Sequence, residues 1–223
     1  MPLTVLNLLS EGAIAYADAL ERQRDLVRAR QQGEIGDTLL LLEHPPTVTY
    51  GKTTAAGSFL LSTDEYGPRG IERIETDRGG DATYHGPGQL VGYPIIHLGE
   101  GSRDIHRYVR SLEAALISAI AEFDVVATRA PWHAGVWVGD GYLAALGVKV
   151  SRWVTHHGFA LNVTPEVQSG FATILPCGVS GKTVVSLSEL AGMPINVAAA
   201  AEVVSGAFVR QFSDDPGKLQ SFA

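Results

Sequence analysis

Residues 135–163 read Gly135-Val136-Trp137-Val138-Gly139-Asp140-Gly141-Tyr142-Leu143-Ala144-Ala145-Leu146-Gly147-Val148-Lys149-Val150-Ser151-Arg152-Trp153-Val154-Thr155-His156-His157-Gly158-Phe159-Ala160-Leu161-Asn162-Val163. Three runs within it predict strands: 135–138, 143–150 and 159–163, each rich in β-branched and aromatic residues. Gly139-Asp140-Gly141 supplies the left-handed backbone of a tight hairpin turn between the first two. Strands that follow one another with no helix between them pair antiparallel, which excludes an alternating βαβ sheet. Upstream, Ile105, Tyr108, Val109, Leu112, Leu116, Ala119, Ile120 and Phe123 recur at helical spacing. They predict an amphipathic helix over 103–123 with Ser102 as its N-cap, followed by a strand over Val125-Val126-Ala127.

Working outward, a first helix is expected over 12–31, with Ile14, Ala17, Leu20 and Val27 on its inner side and Gly33 and Gly36 beyond it. Thr38 to Glu43 reads as a buried strand stopped by His44-Pro45-Pro46, and Val48-Thr49-Tyr50 as a second, short one. Residues 51–70, rich in Gly, Ser, Thr and Pro, read as an exposed loop long enough to serve as a lid. Two short strands are expected around Arg78-Gly79-Gly80, then a strand over 90–96 that Pro94 assigns to an edge or a bulge. Helices near 186–191 and 196–212 close the chain. No repeat or linker divides residues 1–223, so one α+β domain is expected, a central mixed or antiparallel sheet with flanking helices.

Composition sets the class. Of 223 residues 45% are apolar, which excludes a largely disordered chain. The longest early aliphatic run, Leu39 to Leu42, is far short of the ~18 residues of a membrane span, and no basic segment precedes an apolar one at the N-terminus. A single cysteine, Cys177, excludes an internal disulfide and fits a reducing compartment, so a soluble cytoplasmic protein is expected. A net charge of −7 argues against nucleic acid as partner.

Several motifs fail. Gly51-Lys52-Thr53 and Gly181-Lys182-Thr183 resemble the ends of phosphate loops, but Pro46 and Pro176 stand where the first glycine is required. No Cys/His spacing suits a metal; His156 and His157, adjacent on a strand, are expected on opposite faces, unable to chelate together. No metal is expected.

Three features survive. Arg78-Gly79-Gly80-Asp81-Ala82-Thr83-Tyr84-His85-Gly86-Pro87-Gly88-Gln89-Leu90 combines five Gly or Pro residues with several hydrogen-bond donors, as a ligand loop or an elaborate hairpin would. Pro176-Cys177-Gly178 places a thiol on a constrained turn, where it is either an inert residue or a nucleophile in need of a nearby base or cation. The small residues of 143–150 and 157–163 either leave a sheet face open to an apolar ligand or allow close packing.

Together with Glu43-His44-Pro45-Pro46, these motifs resemble the lipoyl(octanoyl) transferases, the octanoyl-acyl-carrier-protein:protein N-octanoyltransferases, over roughly residues 43–190. The resemblance implies the fold of the biotin/lipoate protein ligase-like superfamily. It implies transfer of octanoate from acyl carrier protein to a lysine ε-amine on a lipoyl domain, as a step of lipoate biosynthesis. The acceptors would be lipoyl domains of 2-oxoacid dehydrogenases and the glycine cleavage H protein. Cys177 would be the nucleophile, and no cofactor is implied beyond the phosphopantetheine arm of the carrier. It also implies an acyl pocket lined by Arg78, Gly79, Gly80, Asp81, Ala82, Thr83, Tyr84 and His85, by Ala145, Leu146 and Gly147, and by Gly158, Phe159 and Ala160. One departure stands out: the family has a lysine where this chain has Tyr142. Lys182, His85 and His157 are candidates to replace it, while Lys149, seven residues along the strand, is expected on the other face. Two other readings follow: a non-catalytic acyl or lipoyl-domain binder, motivated by Tyr142, and an ATP-dependent lipoate ligase of the same fold, which Pro176-Cys177-Gly178 disfavours.

Overall fold

The strand run at 135–163 pairs antiparallel as its turn residues require: β8 (Gly135–Val138), β9 (Gly141–Ser151) and β10 (Val154–Asn162) lie side by side. The computed structural model describes residues 2–52, 54–131, 133–175 and 182–213. Among them, β1 (Thr4–Asn7), β2 (Thr38–Leu42), β6 (Gln89–Ile95) and β7 (Thr128–Arg129) complete the main sheet in the order β1-β2-β6-β10-β9-β8-β7, and β11 (Thr183–Val184) pairs with β9. The β1–β2 and β9–β11 pairs are parallel and the others antiparallel, so the sheet is mixed. Every residue of β2, β6 and β10 is buried. Strands covered on both faces show continuous apolar runs, which is why Leu39 to Leu42 lacks alternation.

One face carries α3 (Ile105–Ala121) and α6 (Val197–Ser213), with Leu112, Leu116, Val204 and Phe208 against Leu41, Leu143 and Leu161. The other carries α1 (Tyr16–Gln32), where Ala19 meets Leu40, Leu42 and Val91. A second sheet, β4 (Glu72–Glu75), β3 (Thr47–Tyr50) and β5 (Thr83–His85), has its own core with α2 (Thr63–Tyr66) and α4 (Val167–Phe171). α5 (Leu187–Ala191) starts at a Ser186/Glu189 capping box.

Several expectations need correction. Residues 51–70 are not simply an exposed loop. Tyr66 is buried and its hydroxyl donates to the Thr173 carbonyl at 2.7 Å, while Ser58 accepts the Leu175 N–H at 2.8 Å, so the apolar residues of this stretch pin it to the second core. The cap of α3 is Asp104, which accepts the Arg107 N–H at 3.0 Å; the Ser102 hydroxyl instead donates to Gly99. Val125 to Ala127 form no strand, and the short β1, β11 and α4 lacked a periodic signal. The inner stripe of α1 is Tyr16, Ala19, Gln23 and Val27 rather than one through Ala17 and Leu20.

Pro94 lies in the central strand β6, not at an edge. It stands opposite Leu39 of β2 and, by the β6–β10 register, opposite His157 of β10. Proline has no N–H to give this neighbour. His157 turns to φ 56 there, and its own N–H goes to the Gln23 side-chain oxygen of α1 at 2.8 Å. The Pro94 carbonyl, which would accept the His157 N–H in a regular ladder, accepts the Thr155 hydroxyl at 2.7 Å instead, and a polar residue in the inner stripe of α1 takes up that N–H.

Candidate functional site

A cleft of about 460 Å³, partly open to solvent, lies between the α1 face of the main sheet and the second sheet. Its floor comes from two cross-strand pairs, Ala145 opposite Ala160 and Gly147 opposite Gly158. Residues two apart share a face, so both pairs present small groups to the cleft. Gly147 is required for a second reason: a Cβ there would stand 2.8 Å from the Gly79 carbonyl. The glycine-rich loop therefore lies directly on β9, with the Gly79 N–H donating to the Val148 carbonyl at 3.1 Å.

The loop and β5 form the opposite wall. Arg78 lines it, with Nε 3.1 Å from Thr49 Oγ1 and a second nitrogen donating to the Thr49 carbonyl at 2.7 Å. Asp81 accepts from Ser58 Oγ at 2.7 Å. Thr83 and His85 face the cleft; Ala82 and Tyr84, between and beside them, face the second core with Val48, Tyr66 and Phe171. The resemblance assigned all four to the pocket, and strand alternation assigns Ala82 and Tyr84 to packing instead. Gly79 contributes through its backbone contact with β9. The remaining expected residues, Gly80, Leu146 and Phe159 included, do line the cleft. Thr83 Oγ1 is buried with no hydrogen-bond partner among the described residues.

At the polar end of the cleft, Tyr16, Tyr93 and His133 were missed from sequence, while His157, expected as a candidate base, does line it. The histidines that line the cleft, and His44 behind them against His85, are neutral. His44 is held at about 4 by burial, against which its bond to a carbonyl acts weakly. That carbonyl, of Ile14 at 2.6 Å, can only accept, so Nδ1 carries the proton and Nε2 accepts from the Tyr93 hydroxyl at 2.7 Å. His85 is pushed far down by burial, with Nδ1 2.9 Å from the Gln89 side-chain oxygen. His157 is lowered to about 4 by burial, opposed by its bond to Asp77. Asp77 itself is raised by burial but lowered further by its bonds to Lys149 and His157, and is a carboxylate. Lys149, expected on the far face, reaches the cleft's rear through that carboxylate.

The expectation that His156 and His157 point apart fails. Their rings lie 4.9 Å apart, because the left-handed backbone at His157 breaks the alternation. Asp77, His156 and His157 offer ligand atoms within 4.8 Å of one another, but the Lys149 ammonium already holds the Asp77 carboxylate, and a metal would have to displace it.

Burial of these neutral imidazoles makes the fold acid-sensitive. Both His44 and His157 titrate in the folded chain at about 4, below the ordinary value of 6.5. As pH falls through that window the unfolded chain binds protons that the folded chain does not, so stability held above it is lost. The expected loss is roughly 3 kcal/mol for each imidazole by the lower end of that window, apart from what carboxylates titrating there contribute. Urea unfolding at neutral pH and near the lower limit checks this; an unchanged midpoint would contradict it.

Tyr142 is buried in the cleft wall, its ring 4.6 Å from that of Trp137 and 5.9 Å from that of His133. At the sequence position where the resemblance implies a lysine, the side chain is this phenol. Pro176-Cys177-Gly178 lies outside the described residues. The flanks of that segment abut the cleft wall: Leu175 is bonded to Ser58, the partner of Asp81, and Val184 pairs with Tyr142. Among the described residues no helix is long and apolar enough to cross a membrane.

Comparison with known proteins agrees with this architecture. The family model of the lipoyl protein ligase A/B catalytic domain matches residues 15–209. An octanoyltransferase of Rubrobacter xylanophilus is 49% identical over 209 residues, 92% of each chain. One of Solibacter usitatus is 46% identical over 202 residues, covering 91% of this chain and 89% of its own. Among solved structures, lipoate-protein ligase A bound with ATP superposes with a TM-score of 0.78 at 15% identity, over 94% of this chain and 84% of its own. The biotin protein ligase of Aquifex aeolicus reaches 0.53 at 11% identity, over 98% and 71%. These two share the fold.

Proposed function

The chain belongs to the family of the lipoyl protein ligase A/B catalytic domain, and we propose that within it the chain transfers an octanoyl group to a lysine of a lipoyl domain. It is an acyltransferase of lipoate biosynthesis acting in the cytoplasm. The donor is the phosphopantetheine thioester of acyl carrier protein, and the acceptors are lipoyl domains of 2-oxoacid dehydrogenases and the glycine cleavage H protein. The observation that carries this reading is the trench of small residues, Ala145–Ala160 and Gly147–Gly158, closed on one side by the Arg78 loop. Such a floor admits an unbranched apolar chain and leaves its carboxyl end among the donors Thr83 and Tyr16.

In this reading the Cys177 thiolate attacks the thioester carbonyl, a new C–S bond forms and the carrier thiol leaves. The lysine amine then displaces the enzyme sulfur to give an amide. Both steps start from an activated acyl group, so no nucleotide is consumed. Thr83 Oγ1, buried and with no partner among the described residues, supplies a hydrogen bond to the acyl oxygen. The non-catalytic reading is not favoured, since relatives across nine-tenths of the chain are octanoyltransferases.

Incubation with octanoyl-carrier protein and a lipoyl domain, without nucleotide, tests the reading. The acceptor should gain one octanoyl group, about 126 Da, on its lysine. Modification only with ATP and free octanoate would make the chain a ligase. Binding of the donor without any transfer would make it a binder.

Tyr142 gives a quantitative test of the acylation step. A cation ~4 Å from a thiolate at an effective dielectric near 20 stabilises it by up to about 4 kcal/mol, before solvent screening. A neutral phenol offers only a hydrogen bond. Tyr142→Lys should therefore move the pH profile of single-turnover acylation downward and raise the rate at neutral pH. An unchanged profile would show that thiolate formation does not depend on charge at this position.

A further inference from the structure

His157 is the one non-glycine residue of β10 with a left-handed backbone, a conformation that stands in the middle of a strand and not in a turn. Strain of this kind persists where surrounding contacts over-determine it, and each contact here is visible. The Thr155 hydroxyl takes the Pro94 carbonyl at 2.7 Å, Gln23 takes the His157 N–H at 2.8 Å, and Asp77 takes the ring Nε2–H at 2.9 Å. Lys149 holds Asp77 from its other oxygen. A carboxylate can only accept, so the proton of neutral His157 is on Nε2 and the lone pair is on Nδ1. That lone pair is 3.4 Å from the hydroxyl of Tyr16, and both rings line the cleft. Burial raises the Tyr16 phenol above its ordinary value, so it is a proton donor at neutral pH. The arrangement is that of an oriented base: a ring, a carboxylate that sets its tautomer, and a cation that keeps the carboxylate charged.

We propose that His157 is the proton acceptor of amide formation, working through the Tyr16 hydroxyl, and that Asp77 and Lys149 are positioning residues for it. The proposal rests on the transferase reading above. As the lysine nitrogen bonds to the acyl carbon and the carbon–sulfur bond breaks, one N–H proton passes to the Tyr16 oxygen while the phenol proton passes to His157 Nδ1. The imidazolium so formed is stabilised by Asp77. The proton then returns by the same route to the departing sulfur, leaving a thiol, an amide and the starting enzyme.

The test uses the full chain, with Asp77→Asn and Tyr16→Phe, both of which keep the shape of the side chain. Asparagine can turn its amide donor toward His157 and select the other tautomer. Transfer to the acceptor lysine should fall in kcat by roughly 10²- to 10⁴-fold in Asp77→Asn, with KM little changed, and Asp77→Glu should recover part of the loss. Imidazole nitrogen NMR should show His157 protonated on Nε2 in the wild-type chain and not in Asp77→Asn. Wild-type rates in both Asp77→Asn and Tyr16→Phe would overturn the proposal while leaving the transferase reading intact, as would a wild-type His157 protonated on Nδ1. A wild-type chain that transfers no octanoate from a thioester would overturn the transferase reading, and this proposal with it.

Discussion

Replacing Cys177 with alanine should leave a folded chain that no longer makes octanoyl-lysine. The substitution exchanges a thiol for a hydrogen, a small change in volume within Pro176-Cys177-Gly178. What it removes is the only thiol of the chain, and with it the proposed covalent route, which would divide one acyl transfer into two easier steps. The expected loss in kcat is about a thousandfold or more, with unfolding by urea little altered. Turnover of the alanine variant within tenfold of wild type would mean direct attack of the lysine on the carrier thioester, and the covalent route would be abandoned.

The second large effect is on stability. Gly158 is opposite Gly147 in the cleft floor, and a Cβ built on it would stand 2.2 Å from the Gly92 carbonyl and 2.5 Å from Pro94 Cδ. Neither neighbour is the end of a flexible side chain: one is backbone in the adjacent central strand, the other a fixed ring. Gly158→Ala should therefore destabilise the fold by roughly 3 kcal/mol or more, about 6–12 °C in melting temperature for a chain of this size. Gly139→Ala is a useful contrast. That residue, in the β8–β9 turn at φ 56, has open space around it and carries only the backbone cost. Equal melting temperatures for Gly158→Ala and wild type would show that β6 and β10 separate more easily than the packing implies.

The frame was legible because its signals are local. Gly139-Asp140 specified the hairpin, the apolar spacing of α3 specified its buried face, and the unbroken Leu39 to Leu42 run marked a strand covered on both sides. The cleft floor was legible as well, since small residues at 145, 147, 158 and 160 share one face. What escaped was non-local. Pro94 signalled an edge by its chemistry, and only the partner strand reveals the irregular ladder around it, in the turned backbone of His157 and the Thr155 hydroxyl on the Pro94 carbonyl. Gln23 itself is polar in an otherwise apolar stripe, so periodicity alone passed over it and placed the inner face of α1 one residue away. His156 and His157 were separated by strand alternation that the same turned backbone abolishes. Tyr16, Tyr93 and Asp77 lie outside the motifs, Asp77 one residue short of the glycine-rich one, and they meet only when α1 and the Arg78 loop close over the sheet.

Intact-mass measurement of the chain mixed with octanoyl-carrier protein alone tests the covalent transferase account most directly. The account predicts an adduct of one octanoyl group, about 126 Da, on Cys177, lost on addition of a lipoyl domain as the same mass appears on the acceptor lysine. An unmodified chain at every time point, beside an acceptor that gains the octanoyl group at full rate, would contradict it.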